Sequence, residues 1–239
     1  MRVEFNQVEK RYGSKVALSV PAWTLEPGEV VGLVGSNGAG KTTFLRLALD
    51  LIRPDQGSIR VNGRPLDTDA SWRARTGSFL DRSFLIEYLT IPEYLEFVGA
   101  AFGLSKKETY ARLELYESFL PISRVDTKRL LRDLSTGNAK KVGILAALFT
   151  GPDFVILDEP FANLDPPSQI RLKEILIKTA KEADTTMIVS SHDLGHVTEV
   201  SERITLIDNG KIVRDTETSK ETLAELNQFF SSDQTTSAT

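Results

Sequence analysis

The chain of 239 residues contains no cysteine. Disulfides, zinc–thiolate sites and iron–sulfur ligation by its own side chains are therefore excluded, which suits a reducing compartment. Histidine is scarce, with His192 and His196 alone. Their i, i+4 spacing would suit a metal clip on one helix face, but no thiol and no third histidine completes it. Positive charge is not in excess: 29 Lys and Arg stand against 33 Asp and Glu, for a net charge of -4. That balance makes no basic field, and no nucleic-acid partner is expected. No apolar run approaches the roughly 20 residues of a membrane helix. The opening MRVEFNQVEKRYG lacks the apolar core of a signal peptide. The chain is therefore expected not to span a membrane by itself, which leaves it free to dock on something that does.

What is present is ordinary in bulk, with 41% hydrophobic and 26% charged residues, as in soluble globular proteins. The length suits one large core, or one domain carrying an inserted lobe. RVEFNQVEKRYG and VALSVPAWTLEPG read as antiparallel strands joined by a Gly-Ser turn. After about residue 28, short β-branched runs alternate with helical patterns, an α/β signature. The expected strands are Val30–Val34, Ser58–Val61, Phe154–Leu157, Thr186–Ser190 and Ile204–Ile207. From about Phe84 to Phe149 the strand signal gives way to helical patterns, broken at Pro92, Gly103, Pro121 and Gly137. The expected fold is thus α/β, with an N-terminal antiparallel β subdomain and an α-helical lobe inserted at about 84–149. The closing SSDQTTSAT is small and polar, and the tail 229–239 is expected to be disordered.

GSNGAGKTT follows the apolar run Val30–Val34 and precedes the helical pattern FLRLALDLI. It matches G-x-x-x-x-G-K-[ST] in the strand–loop–helix setting that the motif requires. Glycines let the backbone curl so that N–H groups converge on an anion, and the helix N-terminus adds partial positive charge. Gly35, Ser36, Asn37, Gly38, Ala39, Gly40, Lys41, Thr42 and Thr43 are therefore the expected phosphate cradle of a P-loop NTPase core. Lys41 supplies a mobile cation for the β- and γ-phosphates, and the Thr42 hydroxyl a ligand for Mg²⁺.

In DFVILDEPFANLD, Asp158 and Glu159 end a buried apolar strand. A P-loop enzyme needs one carboxylate near Mg²⁺ and a base for the attacking water. Neighbours at a strand end point differently, so Asp158 is assigned to the metal and Glu159 to the base. His192 directly follows the strand Thr186–Ser190, at the edge of a parallel sheet where an imidazole reaches the γ-phosphate.

Taken together, these residues resemble the ATP-binding subunit of an ABC transporter, in an order and spacing that cover essentially residues 1–228. EKRYGSKVAL resembles the A-loop region, and the resemblance makes Tyr12 the ring that stacks on adenine. Such stacking is worth about 1–3 kcal/mol per base in nucleic-acid systems. LSTGN stands at the LSGGQ signature, FVILDEP at the Walker B strand, FANLD with Asp165 at the D-loop, and His192 at the switch histidine. The resemblance implies ATP and Mg²⁺ as cofactors and a head-to-tail dimer, homomeric or with a homologue. In that dimer Ser135 and Gly137 would cap the γ-phosphate held by the other subunit. It also implies a multi-span membrane permease as partner, with this subunit cytoplasmic and peripheral on the inner face of the membrane. LTIPEYLEF and the lysines after the signature resemble exporter-type ATPases. A soluble ABC ATPase serving another machine, such as Fe–S assembly, is the alternative.

The chain departs from the family pattern at three positions. Thr136 and Asn138 replace glycine and glutamine of the signature. Asp81 falls where the Q-loop glutamine is usual. A carboxylate there is expected to ligate Mg²⁺ more strongly and to repel the γ-phosphate, or else to face solvent in a shifted loop.

Overall fold

Gly13 and Ser14 reverse the chain between two long antiparallel strands, β1 (Val3–Tyr12) and β2 (Lys15–Leu25). The computed structural model describes residues 1–124, 126, 128–219 and 222. After β2 come β3 (Val30–Val34), α1 (Lys41–Ala48), β4 (Gln56–Val61), β5 (Arg64–Pro65) and β6 (Thr76–Phe79). The helices α2 (Ile91–Ala101), α3 (Lys106–Leu113) and α4 (Thr136–Leu148) follow, then β7 (Phe154–Leu157), α5 (Pro166–Ala183) and β8 (Thr186–Ser191). The short helix α6 (Leu194–Thr198) leads to the hairpin of β9 (Arg203–Asp208) and β10 (Lys211–Glu217). The polar tail expected at 229–239 lies outside the described residues, as do residues 223–228. Among the described residues, no helix is long and apolar enough to cross a membrane.

Ten described strands join one sheet in the order β5-β4-β1-β2-β10-β9-β3-β8-β7-β6. Its centre is parallel: β3 pairs with β9 and β8, β8 with β7, and β7 with β6. Every residue of β3, β7 and β8 is buried. That is why these strands read as continuous apolar runs, since a parallel sheet is covered on both faces. Successive side chains serve opposite faces. Phe154, Ile156 and Ile188 pack with Phe44, Leu45 and Leu47 of α1. Val155, Leu157, Met187 and Val189 pack with Val142 and Leu145 of α4 and Leu172 and Leu176 of α5. On the first face, Phe5 stacks on Phe44 at 4.4 Å and Trp23 meets both rings edge-on, fixing α1 to the N-terminal strands.

Two features of the helical stretch differ from expectation. Pro92 and Gly137 do not break helices but occupy the first turns of α2 and α4. There a proline's missing N–H would be without an intrahelical partner in any case. The stretch SKKETYARLELYESFL is α-helical only to Leu113 and continues as a 3₁₀ turn, Glu114–Tyr116. Capping boxes fix the starts of α2 and α3: Thr90 with Glu93, and Ser105 with Glu108. The strand β6 was not anticipated. Its sequence TGSF is short and half polar, yet Gly77 and Phe79 face inward and it pairs along the whole of β7.

Candidate nucleotide site

The site is built where β3 ends. The loop 35–40 turns out of the sheet and feeds α1, whose first residue is Lys41. Gly40 sits at φ 116, a backbone conformation that L side chains rarely adopt. Behind it, Gly210 bridges the cradle to the N-terminal sheet: its N–H donates to Ala39 O at 2.8 Å, and its carbonyl accepts from Ser19 N at 2.6 Å.

Lys41 is 6% exposed and folds back over the loop, donating to Gly35 O at 2.6 Å and Ser36 O at 3.3 Å. Thr42 Oγ1 donates to Asp158 Oδ2 at 2.7 Å. Asp158 is 7% exposed and its other oxygen accepts from Ser190 Oγ on β8. The same Ser190 oxygen accepts from the Glu159 N–H at 2.9 Å. Glu159 takes a left-handed conformation, φ 48. Its Oε2 lies 2.8 Å from His192 Nδ1. Its Oε1 is buried without a hydrogen bond and faces the Lys41 ammonium at 3.3 Å. Lys140 Nζ donates to the Glu159 carbonyl at 2.7 Å. Burial pushes the Lys140 pKa down, against the pull of the Glu159 and Asp158 charges that would raise it.

These groups border a cleft of about 340 Å³. Ser36, Asn37, Gly38, Gly40, Lys41, Thr42 and Thr43 form its floor, with Asp158 and Glu159 at one end. Tyr12, half exposed, stands at its rim with Lys15, Val16 and Ala17. Gly35 and Ala39 lie behind the floor and support it through their carbonyls. His192 reaches the cleft only through Glu159. The chemistry of the donor set fits Mg²⁺: Thr42 and Asp158 present hard oxygen ligands 2.7 Å apart beside an anion cradle.

Three expected residues lie elsewhere. Ser135 is the exposed N-cap of α4, accepting from Asn138 N at 3.3 Å, and Gly137 follows in the first turn. Neither is among the residues lining the cleft. Asp81 is also apart from the cleft lining. Its carboxylate accepts from Ser83 N at 2.7 Å, capping the 3₁₀ turn Arg82–Phe84, and lies 4.0 Å from the Arg46 guanidinium. Asp81 is thus anchored by its own loop.

Several neighbours of the site were missed by sequence reasoning. Ser190 and Lys140 hold the two carboxylate-bearing residues, and Asn209 and Gly210 line the cleft. The DNG at the β9–β10 turn carried a hairpin signal. Ser190 and Lys140 carried none, because their role comes from sheet order and helix packing.

A family model described as ABC transporter matches residues 18–162. An uncharacterized ABC transporter ATP-binding protein of Nostoc sp. (strain PCC 7120) is 35% identical over 199 residues, covering 83% of this chain and 59% of that protein. A Nod factor export ATP-binding protein of Burkholderia lata is 31% identical over 211 residues, covering 87% of this chain and 68% of that one. The chain therefore spans less than two thirds of the length of the first of these relatives. Among solved structures, an ATP binding subunit of an ABC transporter superimposes with a TM-score of 0.82 at 28% identity, over 91% of this chain and 90% of that one.

Proposed function

The chain belongs to the ABC transporter family of ATP-binding proteins, and from that premise we propose that it binds and hydrolyses Mg-ATP as one of two nucleotide-binding subunits powering a separate membrane permease. The observation that carries this reading is the convergence of Lys41, Thr42, Asp158 and Glu159 on one cleft beside Tyr12.

Each part has a task. Tyr12 offers its ring to adenine at the rim. The loop amides and Lys41 take the phosphates, and Thr42 with Asp158 holds the metal. When bound, Mg²⁺ offsets the negative charge of the phosphate oxygens. Glu159 accepts a proton from the water that attacks the γ-phosphorus, and His192 orients the Glu159 carboxylate through Oε2. The bond to the β–γ bridging oxygen breaks and leaves ADP. The segment with Ser135 and Gly137 is absent from this cleft, so completion of the site falls to a second subunit, a copy or a homologue. Export is the direction that the name of the Burkholderia relative supports. With its permease bound, the subunit lies at the inner face of the membrane.

The test is recovery from native membranes. A tagged chain is expected to co-purify with a multi-span membrane protein. Recovery solely in the soluble fraction, with a soluble partner, would favour a non-transport machine instead.

A second expected result concerns the signature. Ser135→Ala removes an exposed cap bond of 3.3 Å, so stability should fall by about 1 kcal/mol or less. ATPase activity should nevertheless fall to a small fraction of wild type, because the hydroxyl and the helix N-terminus serve the other subunit's γ-phosphate. Thermal melts and steady-state hydrolysis on one preparation separate the two effects, and unchanged activity would reduce LSTGN to a helix start.

A further inference from the structure

The first turns of α4 grip the loop that carries the base. Lys140 Nζ donates to the Glu159 carbonyl at 2.7 Å. Gly137 lies so close to the same loop that a Cβ there would stand 2.8 Å from Asn163 O. Lys141 pairs with Asp165 at 3.8 Å. Three points of one helix thus touch the segment from Glu159 to Asp165.

Glu159 needs such a grip. At φ 48 it occupies a region that non-glycine residues hold only where their surroundings impose it. Its N–H is taken by Ser190 of β8, and its carbonyl accepts from Lys140 of α4 at 2.7 Å and, more weakly, from Ala162 N at 3.3 Å within its own loop. With both peptide groups tied, the direction of the side chain toward Lys41 and His192 is set by the backbone. The Ser190 tie belongs to the buried sheet. The Lys140 tie belongs to the helix whose N-cap is Ser135.

We propose that Lys140 is a positioning residue for hydrolysis, holding the Glu159 backbone so that engagement of the α4 N-terminus sets the alignment of the base in the same chain's own site. The proposal rests on the reading of Glu159 as the base. Lys140 is not itself among the residues lining the cleft and acts through the carbonyl of Glu159, which is. One helix then links the two halves of active site that a chain contributes to a pair, its signature turn and its carboxylate.

The test compares Lys140→Met, Lys140→Arg and Glu159→Gln in the full chain. Lys140→Met keeps the aliphatic stem and removes the donor. Its kcat for Mg-ATP should fall about ten- to a hundredfold, the scale of a misplaced catalytic group. KM and the affinity for ATP should stay within about twofold, since the phosphate cradle is untouched. Lys140→Arg, which keeps a charged donor, should restore most of kcat. In the Glu159→Gln background, Lys140→Met should cost nothing further, because the group it positions is gone. Lys140→Leu, which also lacks a donor, is read the same way where the methionine variant does not fold. Wild-type kcat in Lys140→Met, beside a loss in Glu159→Gln, overturns the proposal and leaves the site reading standing. Failure of arginine to rescue, or an equal loss in ATP affinity, also overturns it in favour of a packing role. A wild-type chain that hydrolyses no Mg-ATP overturns the site reading and this proposal together.

Discussion

Glu159→Gln is expected to lower kcat for Mg-ATP by about 10²–10⁴, the usual worth of a general base, or roughly 3–5 kcal/mol of barrier. The amide is nearly the shape of the carboxylate, so the contacts of residue 159 with Ser190 and Lys140, both made by backbone atoms, survive. What disappears is the negative oxygen that accepts a proton from water. The change also removes the ion pair with Lys41, 3.3 Å from Oε1. Lys41 is then freed for phosphate oxygens, and ATP binding is expected to be kept or strengthened. Without hydrolysis the ATP-bound pair of subunits does not reopen, so gel filtration with Mg-ATP should show a dimer where the wild type runs as a monomer. A variant that remains monomeric and turns over ATP at the wild-type rate contradicts the assignment.

Lys41→Met is expected to weaken ATP binding by roughly 10- to 100-fold, since hydrogen bonds to a charged group contribute about 1.5–3 kcal/mol. The ammonium is almost wholly buried and is held over the loop by the carbonyls of Gly35 and Ser36. It is thus pre-placed, and little side-chain entropy remains to be lost on binding. Methionine retains the stem but removes the donor to Gly35 O, while Ser36 O keeps the Ala39 N–H, and it leaves Glu159 Oε1 without its counter-charge. Calorimetric titration with ATP and with AMP separates the contributions. The loss should be large for ATP and slight for AMP, because the lysine serves the β- and γ-phosphates. Equal affinity for ATP in both proteins would mean that the loop amides alone hold the nucleotide.

These two results depend on features of different legibility. Lys41 stands in a local motif: an apolar run, a glycine-rich turn and a helix, continuous from Val30 to Ala48. Local backbone preferences alone bring its amides, lysine and threonine to one end of one strand. The pairing of Asp158 with Thr42 needs β7 and β3 in one sheet with β8 between them. Its assignment was possible beforehand because Walker-type chemistry demands a carboxylate at a strand end. Ser190, Lys140 and Gly210 belong to a third class. A serine in a strand, a lysine in a helix and a glycine in a hairpin carry no mark of where tertiary packing will set them.

Asp81 shows the same division. By resemblance its chain position is that of the Q-loop glutamine, and its residue type suits a metal ligand. Its placement is decided by a local turn, in which the Ser83 amide offers a partner only two residues away. That bond forms without closing any long loop and so costs little chain entropy, and Arg46 nearby balances the charge.

The sequence by itself therefore determined the α/β class, the glycine-rich loop between a strand and a helix, and the two carboxylates at a strand end, because each rests on periodicity or on spacing within a few residues; the signature segment was legible only through the resemblance to a family. Tertiary structure alone decided that the N-terminus of α4 stays out of the cleft while its first turns grip the loop from Glu159 to Asp165. Contacts between residues far apart in the chain follow from strand order and helix packing, and neither leaves a trace in local pattern.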